Sequence, residues 1–277
     1  MAGLRELKSR LSSINTVSQL SGAMRTVSAA KYSRVSSVRG GFLPYAQACA
    51  EMMERFGSDL AAAMPCKNPE APDCYVVMAG NRGLCGGYNV EILSYAGEIL
   101  QTAERPYRLV VVGKKAEAAL SEAGYPIDAV FSPGDVPTFE GCREMLSYLR
   151  EAYAAGEISS LRLIHQRFIN MLSRETVCQE VLPLGGDAPQ EGPGTLFLPD
   201  RDTVLKNAAL NCVDAVIYSA VLEAAAGAQA ATLVAMRSAY DNAQESIADL
   251  ETEISRRRQS DVTAGVLETA SDNVGTR

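Results

Sequence analysis

The stretch LRELKSRLSSINTVSQLSGAMRTVSAAKYSRVSSV, from Leu4 to Val38, determines the fold because its apolar residues recur at the spacing of one helical face. They lie mostly three or four residues apart, at Leu4, Leu7, Leu11, Ile14, Val17, Leu20, Met24, Val27, Val35 and Val38. No proline interrupts the pattern before Pro44. A helix continuing to about Phe56 would be about 80 Å long, at ~1.5 Å per residue, so it needs a partner that covers its apolar face.

The other end of the chain shows a similar helical pattern. No proline occurs between Leu205 and Val266, and apolar or small residues again recur in threes and fours. The segment 222–233 consists almost entirely of small residues, which allow a second helix to approach closely. The first forty residues are mainly basic, whereas the last seventy carry an acidic excess. These features predict that residues 1–57 and 204–270 pair as a long antiparallel coiled coil.

The heptad of this predicted coiled coil contains an irregularity near the N-terminus. The apolar steps of three from Ile14 to Val17 and from Val17 to Leu20 depart from the alternating steps of a strict heptad. Such departures change the local winding of a coiled coil. We therefore expect a local change of winding in this part of the first helix.

The middle of the chain, residues 68–200, has the pattern of an α/β domain. Short runs rich in β-branched residues alternate with helical patterns, which predicts a Rossmann-like domain with a mostly parallel sheet. The predicted strands lie in 73–80, 108–113, 127–131 and 161–169, and 175–184 is predicted to add a hairpin-like strand. The segment 185–194, GGDAPQEGPG, has the composition of a loop.

Composition limits the classes of function. A formal net charge of −7 gives no reason to expect binding to nucleic acid or direct attraction to an anionic membrane. The seven cysteines are an odd number without a CxxC pair, which favours buried thiols in a reducing compartment. We identify no signal peptide and no apolar run of the roughly 18 to 20 residues that span a bilayer. These observations predict a cytoplasmic protein.

The loop MAGNRGLCGGYN, residues 78–89, suggests three alternatives: a phosphate-binding loop, a nucleophile site or a structural turn. It lacks both the GxGxxG spacing and the GxxxxGK[ST] lysine of nucleotide-binding loops. Cys85 would need a base to act as a nucleophile, and the one histidine, His165, lies in a strand pattern about eighty residues away. We interpret His165 as a packed or edge-strand residue. We favour a structural turn formed by Gly83, Cys85, Gly86 and Gly87.

No set of residues in the sequence forms a catalytic, cofactor or metal site. One histidine and no paired cysteines argue against a metal centre. The basic run Arg256, Arg257, Arg258 and Gln259 is interpreted either as a solvated helix face or as a recognition site for acidic loops of a partner. Lys31 lies on the apolar side of the first helix, where a snorkelling side chain is the ordinary explanation.

Four motifs in chain order resemble the gamma subunit of the F-type ATP synthase, over nearly the full length. The first is Ala23-Met24 followed by Val27, Ala29, Ala30 and Lys31, and the second is the loop NRGLCGGYN. The third is HQRFINMLSRETVCQEVLPL, and the fourth is LVAMRSAYDNA with Arg258-Gln259 and Val262-Thr263 after it. The family's pattern has an acid where this chain has Asn81.

The resemblance implies a non-catalytic rotor subunit without a cofactor. It implies partners in the alpha and beta subunits around the coiled coil, and in the epsilon subunit and the c-subunit ring at the α/β domain, with membrane contact only through the complex. The complex would lie at the cytoplasmic face of the bacterial cell membrane and couple proton flow to ATP synthesis or hydrolysis. Met24, Lys31 and the run 256–259 are the candidate partner contacts. The alternatives are a nucleotide- or thiol-dependent α/β enzyme and a repurposed coiled-coil scaffold.

The chain departs from the family pattern on both predicted helices. Gly22 stands where a basic residue is usual, and Ala228 and Thr232 replace a glutamate and an arginine. Ala264-Gly265 replaces a Gln-Glu pair. These replacements remove charged groups from the coiled coil, which suggests a divergent gamma subunit of a second or specialised rotary ATPase.

Overall fold

The computed structural model describes residues 2–185 and 196–274 of the chain. Two long helices lie at its ends, α1 (Ala2–Ala63) and α5 (Arg201–Val274). Between them lie three shorter helices, α2 (Tyr88–Gln101), α3 (Lys114–Glu122) and α4 (Phe139–Ala155). The helical patterns of the sequence predict both long helices, α2 (as 90–103) and α4 (as 138–156), but not α3.

The central sheet has five strands in the order β3-β2-β1-β4-β5. Their bounds are β1 (Asp73–Met78), β2 (Tyr107–Val112), β3 (Ala129–Phe131), β4 (Ser160–Phe168) and β5 (Arg174–Leu182). The first four strands are parallel, and β5 pairs antiparallel with β4. This confirms the predicted mostly parallel sheet with a terminal hairpin.

The chain divides into two compact units. Unit 1 comprises residues 1–27 and 233–277, and unit 2 comprises residues 28–232. Both terminal helices therefore contribute to each unit. The predicted division into 1–57, 68–200 and 204–270 instead separates each terminal helix from the α/β domain. It stays a prediction.

In unit 1, the two terminal helices pair antiparallel. Ser18 contacts Gln244, and Gly22, further along α1, contacts the earlier residue Tyr240. On α5 the buried or half-buried positions 236, 240, 243, 247, 250 and 254 alternate steps of four and three. That spacing is the heptad of a coiled coil.

The seam of α1 follows a different set of residues from the predicted one. The more buried positions are 4, 7, 11, 14, 18, 21, 25 and 28, which alternate steps of three and four without a break. Ser18, Ser21 and Ser28 are buried on this seam, whereas Val17, Leu20 and Val27 are each more than half exposed. The prediction that these three apolar residues belong to the seam, and that the heptad is irregular there, was therefore wrong. Small serine side chains let the helices approach closely, and apolarity alone did not identify the seam.

In unit 2, helices cover both faces of the sheet. Side chains of α2 and α3 pack on one face against residues that include Val77 and Val111. On the other face, α4 and segments of α1 and α5 pack against residues that include Val76 and Leu163. This arrangement is the α/β domain that alternating strands and helices predict.

Helix α1 has a kink at Phe56, whose φ/ψ angles of −125° and 23° are non-helical, and a second helical segment follows it to Ala63. The predicted end near Phe56 falls at this kink. One further expectation is corrected by the structure. Within α5, one 18-residue window of mean hydropathy 1.4 is long and apolar enough to cross a membrane, so the expectation that no such run exists was wrong. However, 67% of that window is buried inside the protein, which accounts for its apolar composition. Apart from Gly185, the predicted loop 185–194 lies outside the described residues.

Candidate partner-contact sites

The helix pair of unit 1 presents apolar side chains that its own seam does not use. Val17, Leu20 and Val27 project from α1 with more than half of each residue exposed, and Met24 is half-buried. Monomeric proteins rarely leave several large apolar residues exposed on one element unless a partner covers them. These residues therefore form a candidate partner surface, which we name the α1 apolar surface (Val17, Leu20 and Val27).

The basic run 256–259 lies exposed on α5 in unit 1. The Nε atom of Arg257 lies 3.7 Å from a carboxylate oxygen of Asp261, one helical turn further on. Ion pairs between such exposed side chains contribute little to stability. Arg256, Arg258 and Gln259 are likewise exposed, so these four side chains are open to a partner.

Lys31 forms an ion pair with Asp135, a residue of unit 2 that is distant in the sequence. Its Nζ donates a hydrogen bond to Oδ2 of Asp135, and the Nε atom of Arg82 lies 3.7 Å from the same oxygen. Partial burial alone would raise the pKa of Asp135, but the hydrogen bond from Lys31 and the charges of Lys31 and Arg82 lower it below its ordinary value. Lys31 therefore has a contact within the chain that sequence reasoning missed, because Asp135 lies 104 residues away.

The glycine loop joins β1 to α2, and polar backbone groups of the loop form hydrogen bonds with side chains of the same chain. Asn89 accepts a 2.9 Å hydrogen bond from the Gly80 backbone N–H and donates to the Arg82 carbonyl at 3.0 Å. Leu84 has a φ of 62° and Gly86 a φ of 59°, so the chain turns sharply there through the left-handed region. The structural-turn interpretation stays a prediction, which these contacts support.

The loop is anchored to α5 through the first residue of α2. The Tyr88 hydroxyl donates a 2.7 Å hydrogen bond to the carbonyl of Ala224, and the Tyr88 ring lies fully buried. A Cβ added at Gly227 would lie only 3.0 Å from the Tyr88 ring. The run of small residues in 222–233 thus accommodates a side chain of the α/β domain, a role its composition alone did not specify.

The geometry leaves little room for a nucleotide beside the glycine loop. The cavity at the carboxyl ends of β1 and β2 has a volume of only about 40 Å³, whereas ligand pockets usually have volumes of about 300 to 1,000 Å³. Cys85 is buried and accepts a 3.2 Å hydrogen bond from the Asn89 amide. Within residues 2–185 and 196–274, no cluster of three or more His, Cys, Asp and Glu residues could hold a metal ion.

The positions that depart from the family pattern have ordinary structural surroundings. Gly22 lies against the Tyr240 ring, where an added Cβ would be 3.4 Å from two ring carbons. The Thr232 hydroxyl donates a 2.8 Å hydrogen bond to the Ala228 carbonyl on its own helix. Gly265 lies within α5. Thr232 therefore directs its polar group to the backbone of its own helix.

Comparison with known proteins gives consistent matches along almost the whole chain. A family described as ATP synthase matches residues 3–271. The ATP synthase gamma chain of an Exiguobacterium species is 32% identical over 277 residues, covering 97% of each chain. The gamma chain of Desulforamulus reducens is 31% identical over 280 residues, again covering 97% of each.

Solved structures show the same fold at lower identity. A chain of the Euglena gracilis mitochondrial ATP synthase, from a structure of the OSCP, F1 and c-ring, has a TM-score of 0.69 and 18% identity, covering 99% of this chain and 94% of that one. A chain from the Tetrahymena thermophila central stalk and c-ring has a TM-score of 0.62 and 19% identity, covering 79% of this chain and 99% of that one.

Proposed function

Because the chain belongs to the ATP synthase gamma-chain family, we propose that it is the central-stalk rotor subunit of an F-type ATP synthase. In this role it catalyses no reaction itself. It transmits rotation between the ion-conducting c-subunit ring and the catalytic beta subunits, so that proton flow drives ATP synthesis or ATP hydrolysis drives the reverse rotation.

The α1 apolar surface is the observation that carries this proposal. Unit 1 consists only of the two paired terminal helix segments, and Val17, Leu20 and Val27 face away from their seam. A helix pair that buries serines and exposes valines and leucine is suited to a surrounding apolar partner. The alpha and beta subunits would supply that partner surface.

The mechanism follows from the asymmetry of a two-helix shaft. At any moment the helix pair presents a different side to each of the beta subunits around it. Contacts that favour one conformation of a beta subunit over another shift its equilibrium by the difference in contact free energy. Rotation of the shaft would therefore change which beta subunit is open, closed or empty.

Unit 2 would supply the contacts at the membrane side. The similar Tetrahymena chain comes from a structure described as central stalk and c-ring, which supports association with a c-ring. We assign that contact, and one with the epsilon subunit, to the α/β domain, as the family resemblance implies. We place the complex at the cytoplasmic face of a bacterial membrane, since both curated relatives at 31–32% identity are bacterial. Met24, Lys31 and residues 256–259 are proposed as contacts with the catalytic ring.

Co-expression of the full chain with the alpha and beta subunits of the same genome tests this function. The chain is expected to co-purify as one copy per complex, and sustained multi-site ATP hydrolysis should depend on it. A matched pair of variants tests the surface: Leu20→Ser lies on the α1 apolar surface, whereas Ser13→Ala lies on an exposed stretch outside the seam.

Leu20→Ser should weaken assembly or coupled hydrolysis, and Ser13→Ala should not. A complex that hydrolyses ATP equally with and without the chain would overturn the proposal. In that case the chain would be a repurposed scaffold that shares only ancestry with the family.

A further inference from the structure

The two long helices bring two cysteines together in unit 2. Cys49 lies on α1 and Cys212 on α5, and 163 positions separate them in the chain. The Cys212 thiol donates a 3.6 Å hydrogen bond to the backbone carbonyl oxygen of Cys49, and a hydrogen bond also joins the two thiols. Both cysteines are free. The fold therefore holds two reduced thiols of distant sequence segments side by side.

The other five cysteines are not arranged in this way. In the part of the chain that the structure describes, no hydrogen bond joins any other two cysteines. Cys85, for example, accepts its hydrogen bond from the Asn89 amide. Cys178 lies half-buried on β5. The contact between two thiols thus belongs to the place where α1 meets α5.

A cleft beside the pair gives a small molecule access to it. Cys49 and Cys212 both line this cleft, whose volume is about 390 Å³, within the range of about 300 to 1,000 Å³ in which proteins hold small molecules. None of its lining residues carries a charge at neutral pH, so an uncharged molecule enters at a lower desolvation cost than an ion does. Cys49 is 7% exposed and Cys212 only 1%, so an entering reagent meets Cys49 first.

The surroundings of the pair favour a stable disulfide. Burial raises the pKa of the Cys212 thiol to about 12, with a further contribution from the neighbouring Cys49 thiol. A thiol with a raised pKa keeps its proton at neutral pH, so the reduced pair gains no stabilisation from a thiolate at Cys212. A stabilised thiolate is what makes a protein disulfide easy to reduce. Its absence here favours the oxidised form of the pair.

We propose that Cys49 and Cys212 form a modification site, at which a small uncharged disulfide converts the two thiols into an intrachain disulfide bond. The Cys49 thiol gives its proton to solvent, and the thiolate attacks one sulfur of the reagent, whose other half leaves as a thiol. The Cys212 thiolate then attacks the Cys49 sulfur of this mixed disulfide and releases the second half as a thiol. The protein dithiol loses two electrons, and the reagent gains them.

The disulfide joins two distant parts of one compact unit. Both cysteines lie within residues 28–232, which form unit 2. A crosslink that spans 163 residues removes more conformational freedom from the unfolded chain than a short loop does, and so stabilises the folded state more. In a reducing compartment the pair stays reduced, and it closes when small disulfides accumulate. The site therefore links the stability of unit 2 to the supply of oxidant.

Peptide mapping of the full chain tests this proposal. The reduced chain is incubated with 2-hydroxyethyl disulfide, its remaining thiols are blocked with iodoacetamide, and it is digested with trypsin without reduction. Cleavage at arginine and lysine releases peptides 40–55 and 207–237, each with a single cysteine. Mass spectrometry should find these two peptides joined, and dithiothreitol should separate them. Before digestion, the oxidised chain should melt at least about 5 °C higher than the reduced chain.

Three single-cysteine variants provide the matched comparison. Cys49→Ala and Cys212→Ala should each form no link and show no rise in Tm on treatment. Cys178→Ala removes a half-buried cysteine of β5 and should behave like the wild-type chain. Each variant is compared with itself before and after treatment, so a loss of stability from the substitution does not affect the result.

Three results would overturn the proposal. Peptides 40–55 and 207–237 that stay separate, each with a hydroxyethylthio adduct, would show that the two sulfur atoms cannot meet. A link from either peptide to the one that contains Cys178 would show that pairing is not selective. A lower Tm after closure would show that the disulfide distorts the contact between α1 and α5 instead of fitting it.

Discussion

The side-chain amide of Gln244 donates a 2.7 Å hydrogen bond to the Ser18 hydroxyl, and Ser18 is only 3% exposed. This contact joins α1 and α5 at a buried position of the unit 1 seam. It shows that the two helices recognise each other partly through a polar pair, which fixes their register more specifically than apolar contact does.

Replacement of Ser18 by alanine should lower the free energy of unfolding by about 0.5–1.5 kcal/mol, because the inter-helix hydrogen bond is lost while the exposed Gln244 amide can bond to water instead. Chemical denaturation of the full chain, followed by circular dichroism, measures this change. Ser13→Ala is the control, since the Ser13 hydroxyl is exposed and bonds only to the Ser9 carbonyl of its own helix. Equal losses in both variants would contradict the role of the inter-helix bond.

Gly22 offers a second test of the same seam. Gly22→Ala should raise the free energy of unfolding by up to about 1 kcal/mol, because alanine has the higher helix propensity and its Cβ would meet the Tyr240 ring at an ordinary 3.4 Å. Gly40→Ala provides the reference, because nothing lies within 4 Å of that position and propensity alone acts. If Gly22→Ala destabilised the chain while Gly40→Ala stabilised it, the seam would be tighter than the structure indicates.

Gly113 connects β2 to α3 with a φ of 104°, and a Cβ there would lie 2.2 Å from the Ala79 carbonyl oxygen. Gly113→Ala should therefore destabilise unit 2 strongly. Gly124→Ala should cost about 1–2 kcal/mol, because Gly124 also has a positive φ of 82° but nothing lies within 4 Å. Thermal denaturation of both variants should give the much larger loss for Gly113→Ala, and similar losses would contradict the predicted clash.

Burial lowers the pKa of His165 below its ordinary value. The unfolded state therefore binds a proton more readily than the folded state. The free energy of unfolding should therefore fall as the pH drops below about 6.5, the ordinary pKa of histidine. The contribution of His165 to this fall should be complete once the pH is below the lowered pKa of the folded state. Urea denaturation between pH 7 and 5 measures this slope.

His165→Gln is the control for the pH dependence. It keeps the other titrating groups of unit 2, including Glu223, whose pKa burial raises. The stability of the variant should decline less than that of the wild-type chain over the same pH interval. A steeper decline in the variant would show that His165 gains rather than loses protons on folding.

Lys31 has two separable roles if it contacts the catalytic ring as proposed. Lys31→Ala and Asp135→Ala both break the ion pair of unit 2, and each should cost about 1–2 kcal/mol, since the pair is only partly buried. In the assembled complex, Lys31→Ala should reduce coupled ATP hydrolysis more than Asp135→Ala does. Equal reductions would show that Lys31 acts only within the chain.

Local patterns in the sequence predicted most of the elements. The periodicity of three and four residues found both terminal helices, and β-branched runs found all five strands to within two residues. Helix α3 was missed because its short segment, KKAEAALSE, presents only a narrow apolar face, with Ala116 and Leu120 buried. The predicted end of the first helix near Phe56 coincides with the kink of α1, but the sequence did not indicate that a second helical segment follows it to Ala63.

The long-range contacts within the chain could not be predicted from the sequence, because each joins residues that lie far apart in it. The Lys31–Asp135 pair spans 104 residues, and the bond from Tyr88 to Ala224 spans 136. A sequence shows which residue types are present, but only the packing of elements shows which polar groups meet and which stay unpaired.

The sequence by itself determined two long terminal helices that must pair, an α/β domain between them, and the family to which the chain belongs. It could do so because helix and strand periods are local properties of the backbone. Only the tertiary structure decided that the α1 seam runs through Ser18, Ser21 and Ser28, leaving Val17, Leu20 and Val27 exposed. The reason is that packing against the neighbouring helix decides which face of a helix is buried. At this seam the two backbones approach closely, which requires small side chains more than apolar ones.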